Sequence, residues 1–80
     1  MNEKNRVQKD IEMFEKNIQL IQQQTLNESQ KTIIELATQY YTDTKFYTQK
    51  KDDFTAFGCI NYAHGLLDAV LKQHHLEGTT

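Results

Sequence analysis

Three polar residues, Asn61, His64 and Asp68, lie three and four positions apart within a predicted helix. This spacing places them along one edge of the helix's apolar face. Tyr41 and Asp43 of the preceding helix could approach that edge from opposite sides if that helix is rotated. A histidine held by a carboxylate can act as a general base or as a metal ligand. A His–Asp contact also satisfies half-buried polar groups without any chemistry, so a structural polar network is the simpler interpretation.

Other patterns of catalytic and metal-binding residues are missing from the sequence. A metal site needs three or four convergent ligands. His64 and Asp68 supply two of them, and His74 and His75 lie at least two turns away. Cys59 lies about 140° around the helix from His64, which excludes a Cys–His nucleophile pair. We therefore predict no catalytic residues, no metal and no cofactor.

Charge and composition exclude several classes of partner. The chain has nine basic and eleven acidic residues, a formal net charge of −2, and no basic run longer than Lys50-Lys51. Nucleic-acid-binding domains concentrate positive charge, so we expect no nucleic-acid partner. The single cysteine, Cys59, cannot form an internal disulfide, and no apolar run is long enough to cross a membrane. These features predict a cytoplasmic protein without membrane contact.

The stretch from Phe54 to Leu71 indicates where the centre of the molecule lies. Only Asp68 carries a full charge within it, whereas the rest of the chain is rich in charged and amide side chains. A helix with so few charges must be covered on most sides, by its own bundle or by a partner. The preceding acidic pair Asp52-Asp53 provides an N-cap, which places this third helix at about residues 53–75.

Two amphipathic helices precede the third. Apolar residues four and three positions apart predict a first helix at about residues 3–23, and a second apolar face predicts a helix at about 26–50. A capping box formed by Thr25 and Glu28, with Asn27 as a competing cap, marks the break between them. Neither glycine nor proline intervenes, so a single long bent helix is the alternative.

Helices of similar length with short connections predict an all-α fold, a three-helix up-down-up antiparallel bundle. It forms a single domain over residues 1–80, with residues 1–3 and 76–80 expected to fray. We expect the most buried side chains to come from the second and third helices, with the first helix covering them. They are Ile33, Ala37, Tyr40, Ile60, Ala63 and Leu67, covered by Phe14 and Ile18.

A stripe that includes small residues lies on the back of the third helix. Gly58, Tyr62, Gly65 and Ala69 recur at intervals of four, three and four positions. Both glycines lie inside the helix, so neither belongs to a phosphate-binding loop. Each costs about 1 kcal/mol relative to alanine. We interpret the stripe as a candidate interface for another backbone, either helix 1 or a second subunit; exposed glycines that are merely tolerated are the alternative.

Two segments of the chain, residues 40–47 and 51–69, resemble a small archaeal family that is catalogued as domain of unknown function 357. The most specific part is Asn61-Tyr-Ala-His-Gly-Leu-Leu-Asp-Ala69. The similarity is close over about residues 33–71 and holds for helix 1 only in character. It implies a three-helix bundle in an archaeal cytoplasm and no established activity. One departure is that Lys51 or Asp52 stands where the family often has a glycine.

The hairpin formed by the second and third helices resembles the HEPN superfamily more weakly. Some members of that superfamily are ribonucleases, whose motif pairs an arginine with a histidine a few residues later. In this chain the corresponding positions before His64 hold Phe57, Gly58 and Cys59, and the sole arginine is Arg6. The departure predicts that the protein has no nuclease activity.

These observations favour a non-enzymatic interaction module that forms a homodimer or binds another protein. The alternative is an accessory domain that binds a small molecule or a nucleotide along the polar edge formed by Asn61, His64 and Asp68. The sequence alone specifies neither a ligand nor a partner.

Overall fold

The computed structural model of the protein describes residues 3–76 and consists, over that range, of three α-helices. They are α1 (Glu3–Gln22), α2 (Glu28–Gln49) and α3 (Asp53–Gln73). The bundle measures 36 × 21 × 15 Å, and its longest dimension is about the length of one helix. The all-α three-helix prediction is confirmed, with every helix end within about two residues of its expected place. The expected fraying of residues 1–3 and 76–80 falls almost wholly outside the described residues.

Side-chain hydrogen bonds, rather than glycine or proline, separate α1 from α2. Oδ1 of Asn27 accepts a hydrogen bond from the backbone N–H of Gln30 (2.8 Å), and Oε1 of Gln30 accepts one from the backbone N–H of Asn27 (3.1 Å). The predicted Thr25–Glu28 capping box is therefore wrong, because the competing cap, Asn27, starts the helix two residues later. The two helices are separate, and the single bent helix is excluded.

The turn between α2 and α3 is tight and is capped as the sequence predicts. The Asp52 side chain accepts a hydrogen bond from the backbone N–H of Thr55 (3.1 Å) and so begins α3. Lys51 has φ = 61°, in the left-handed region that glycine enters without strain. Lys51 is one of the two residues that stand where the resembled family often has a glycine.

The third helix, α3, is the centre of the bundle. It packs along both α2 and α1, whereas α1 and α2 meet at few points. Alanines at the buried positions of α2 and α3 let these two helices approach closely. The buried apolar side chains are Val7, Ile11, Phe14, Ile21, Ala37, Ala56, Ile60, Ala63, Leu67, Val70 and Leu71.

The predicted core is confirmed for α3 and corrected for α2. Ala37, Ile60, Ala63, Leu67 and Phe14 are buried. The other three expected residues, Ile33, Tyr40 and Ile18, are only half-buried. The buried face of α2 is centred on Ala37 and Thr44, which moves its larger side chains to the two margins.

Candidate functional site

His64 lies on the side of α3 that faces α1 and is half-buried there. Its Nε2 donates a hydrogen bond to the backbone carbonyl oxygen of Asp10 (2.8 Å). The imidazole also contacts the Phe14 ring edge-on, with the ring centroids 5.9 Å apart. A carbonyl oxygen can only accept, so the proton must be on Nε2. The histidine therefore ties α3 to α1.

The expected contact between His64 and Asp68 is not formed. Within residues 3–76 the carboxylate of Asp68 has neither a hydrogen bond nor an ion pair, and Asn61 is exposed. The three residues do share the α1-facing edge of α3. However, no carboxylate of residues 3–76 bonds to the imidazole, so the His–carboxylate geometry expected of a general base is not formed among them.

Tyr41 belongs to a different cluster, which also involves Phe14. Its ring stacks on Phe14 with centroids 4.9 Å apart and an interplanar angle of 16°. Its hydroxyl donates a hydrogen bond to the carboxylate of Glu15, and Lys45 Nζ lies 3.6 Å from Glu15 Oε2 and 4.6 Å from the centre of the Tyr41 ring. Burial, and next the bond to Glu15, raise the pKa of Tyr41 above its usual value. The hydroxyl thus serves as a donor and not as a base.

The fifth predicted residue, Asp43, is also separate from the others. It is exposed on α2, and its charge acts on Cys59 of α3. Burial raises the pKa of the Cys59 thiol, and the charges of Asp43 and Asp52 raise it further, which disfavours the reactive thiolate.

The five predicted residues therefore do not form one site. Phe14 contacts both Tyr41 and His64, and the hydroxyl of Tyr41 bonds to Glu15 of α1 rather than to a residue of the polar edge of α3. The cluster of Glu15, Tyr41 and Lys45 was missed by sequence reasoning. The four-residue spacing of Tyr41 and Lys45 is visible in the sequence, but the arrival of Glu15 depends on how α1 packs.

An open groove runs between α1 and α2, where the two helices scarcely touch. Its volume is about 500 Å³. Phe14, Ile18 and Tyr41 form its apolar part, and the polar part consists of Glu15, Gln19, Gln22 and Thr38. No sequence pattern predicted this groove, since it arises from α1 leaning on α3 and away from α2.

The described range holds neither a metal-binding cluster nor a membrane-spanning helix. Between residues 3 and 76, no three His, Cys, Asp or Glu side chains come together as they would to hold a metal ion. None of the three helices combines the length and the apolar character that crossing a membrane requires.

The stripe formed by Gly58, Tyr62, Gly65 and Ala69, here termed the outer face of α3, is open. A Cβ atom added at either glycine would meet nothing within 4 Å. Tyr62 is 50% exposed, and its ring contacts Tyr40 edge-on with centroids 4.6 Å apart. The idea that helix 1 packs closely on the glycines is therefore wrong. A second subunit and tolerated exposure are the remaining interpretations.

The hydrogen bond from His64 predicts how two substitutions will differ. The amide nitrogen of glutamine can replace Nε2 as a donor to Asp10, so His64→Gln should change the free energy of unfolding by less than about 1 kcal/mol. His64→Leu fills the apolar space but loses the bond between helices, and should cost about 1 kcal/mol more. Urea titration of both variants measures this difference, and a glutamine variant as unstable as the leucine variant would contradict the assigned role.

Comparison with known proteins identifies a family but no activity. No curated protein matches the chain. A family model described as "Protein of unknown function (DUF357)" matches residues 9–76, which include all of α2 and α3 and most of α1. The match covers the outer face of α3, the polar edge at His64 and the groove between α1 and α2. By this match and by its three-helix bundle, the chain belongs to the DUF357 family of proteins of unknown function.

Proposed function

We propose that the protein is a non-enzymatic interaction module and that a second copy of the chain packs on the outer face of α3. The observation that carries the proposal is the openness of Gly58 and Gly65 beside the half-exposed ring of Tyr62. The face contains no charged side chain, although most of the surface of the bundle is charged or carries amides.

The two glycines lower the stability of α3, and no contact within the single chain compensates for this loss. Each lowers helix stability by about 1 kcal/mol relative to alanine. Within the described bundle neither gains a contact in return, because the space beyond each is empty. A second backbone crossing at Gly58 and Gly65 would gain that contact, since the absence of a Cβ allows close approach.

A second copy is a suitable occupant because the face is complementary to itself. A two-fold pair places the same patch on both subunits, so bulky residues must meet small ones. Tyr62 is the bulky residue, and Gly58, Gly65 and Ala69 are the small ones. The edge-on contact with Tyr40 already holds the Tyr62 ring in place, which reduces the entropy lost on binding.

The distribution of the polar residues supports a non-enzymatic role. His64 is bonded to a backbone carbonyl, Tyr41 to Glu15, and the thiol of Cys59 is disfavoured as a nucleophile. His64 and Tyr41 thus have structural hydrogen-bond partners, and Cys59 is not bonded to either of them. The small-molecule or nucleotide alternative would need them to converge, whereas His64 and Tyr41 bond to different groups of α1, the Asp10 carbonyl and the Glu15 carboxylate.

Gly65→Leu separates folding from association. In the single chain the leucine meets open space and improves helix propensity, so stability at low concentration should rise by up to about 1 kcal/mol. In the pair the leucine keeps the two helices apart, so the dissociation constant should rise at least about tenfold. Sedimentation equilibrium over the micromolar range and thermal unfolding at low concentration measure the two effects.

Gln39→Leu is the matched control, because Gln39 is exposed on α2 and lies outside the outer face of α3. It adds the same side chain and should leave association unchanged. A parent protein that stays monomeric at high micromolar concentration contradicts the proposal, as does a dimer that Gly65→Leu leaves intact.

A further inference from the structure

The basic residues of the chain concentrate at one end of the bundle, termed here the basic end. It comprises residues 3–9 of α1 and residues 46–54, from the last turn of α2 into α3. Its basic residues, five of the nine in the chain, are Lys4, Arg6, Lys9, Lys50 and Lys51, against the acidic Glu3, Asp52 and Asp53. The remaining sequence has four basic and eight acidic residues, and one of the four, Lys45, is paired with Glu15. The charges are therefore distributed unevenly along the bundle, although the net charge is only −2.

The folded chain brings the two parts of the basic end together. Lys4 of α1 and Lys51 of the turn line one cleft of about 330 Å³, with Thr48, Gln49 and Asp53. Arg6 lies over the ring of Phe57, 5.2 Å from its centre, so α1 also contacts α3 one turn beyond the basic end. Lysines almost fifty positions apart in the sequence thus face one space.

The basic end also carries the most exposed large apolar side chain of the described residues. Phe54, in the first turn of α3, is 78% exposed. Side chains in a helix lean towards its N-terminus, which for Phe54 is the tip of the bundle. Phe46, on the outer surface of α2, is 50% exposed, and Lys50 Nζ lies 5.5 Å from its ring centre.

We infer that the basic end is a docking surface for an anionic membrane surface. Lys4 and Lys51 would receive a lipid phosphate in their cleft, and Phe54 would enter the headgroup boundary. Interfacial binding of this kind combines basic residues with an apolar side chain and needs no membrane-spanning helix. The sequence-based expectation of no membrane contact considered only spanning segments, and it did not anticipate that distant lysines meet.

A membrane fits the charge distribution better than a nucleic-acid strand. A planar surface touches only the tip, whereas a strand that leaves the tip must run along flanks whose charged residues are mainly acidic. Strands are also held by aromatic rings that line one groove. Phe54 and Phe46 lie on different helices, and Phe46 is already flanked by Lys50 and by the ring of Tyr47.

Vesicle co-sedimentation of the full chain tests this inference. We expect binding to vesicles of equimolar phosphatidylcholine and phosphatidylserine, weakening with salt, and little binding to phosphatidylcholine alone. A lysine near an anionic surface contributes about fivefold in affinity, so Lys4→Glu with Lys51→Glu should weaken binding by more than about twentyfold. Phe54→Ser should weaken it by about tenfold.

Two controls match these variants in chemistry but lie elsewhere. Lys16→Glu with Lys31→Glu makes the same change in net charge away from the basic end, and Leu36→Ser alters an exposed apolar residue of α2. Both should bind vesicles within about threefold of the parent. Absence of binding to anionic vesicles overturns the inference. So does an equal loss in the charge control, or binding of a single-stranded oligonucleotide at concentrations where vesicles are not bound. Thermal unfolding confirms that each variant is folded.

Discussion

Replacing Leu67 with alanine should lower the free energy of unfolding by about 2–5 kcal/mol. Leu67 is fully buried on α3, which is the one helix that packs along both others. Removing its side chain leaves a cavity that three helices would have to close together, so relaxation recovers little of the loss. A domain of this size has a total stability of about 4–12 kcal/mol, so the loss is a large share of it. Urea titration followed by far-ultraviolet circular dichroism measures the change.

Leu36→Ala is the matched control for this experiment. It removes the same atoms from α2, but Leu36 is 38% exposed, so the cost should stay below about 1 kcal/mol. A loss under 1 kcal/mol for Leu67→Ala, or equal losses for the two variants, would mean that the core lies on a different face of α3.

The fold was predictable because local signals and the global arrangement agree. The charge-poor stretch from Phe54 to Leu71 marks the central helix, and Asp52 marks its start; both expectations hold in the structure. The rotation of α2 was less predictable. The apolar residues of α2 cover a wide arc of the helix. Ala37 and Thr44 form the centre of its buried face, since small residues there allow α3 to approach.

The candidate site was less predictable than the fold, for a physical reason. Periodicity placed Asn61, His64 and Asp68 on the third helix, where their spacing puts them along one edge. It could not tell which helix that edge faces. The edge faces α1, and the backbone carbonyl of Asp10 takes the hydrogen bond that the sequence assigned to Asp68. Backbone acceptors carry no sequence signature, so no inspection of side-chain types could have identified this partner.

The surfaces were predictable to the extent that they belong to a single helix. The outer face of α3 could be recognised from spacing alone, because all four of its residues lie on one helix. The basic end could not be recognised from spacing, since Lys4 and Lys51 come together only when α1 packs beside the turn between α2 and α3. The groove between α1 and α2 has the same origin. A surface formed by one helix can be predicted from residue spacing, whereas a surface shared by two helices depends on how they pack.

Phe14→Ala should have the largest effect of any single truncation in α1, about 3–5 kcal/mol in the free energy of unfolding. The Phe14 ring is buried, stacks on Tyr41 of α2 and meets His64 of α3 edge-on. Because α1 and α2 touch at few other points, this ring is the principal apolar link between them. Its loss removes both the buried area and the two aromatic contacts.

The effect of Phe14→Ala should also be uneven along the chain, which distinguishes it from Leu67→Ala. α2 and α3 keep their shared interface, so amide hydrogen exchange should accelerate most in α1. Phe14→Leu retains most of the apolar volume and should lose about 1–2 kcal/mol, so it provides a folded reference if the alanine variant is too unstable to study. Hydrogen exchange followed by mass spectrometry measures protection helix by helix. Equal acceleration in all three helices would show that α1 is no more weakly attached than the rest, and that Phe14 acts only as one core residue among many.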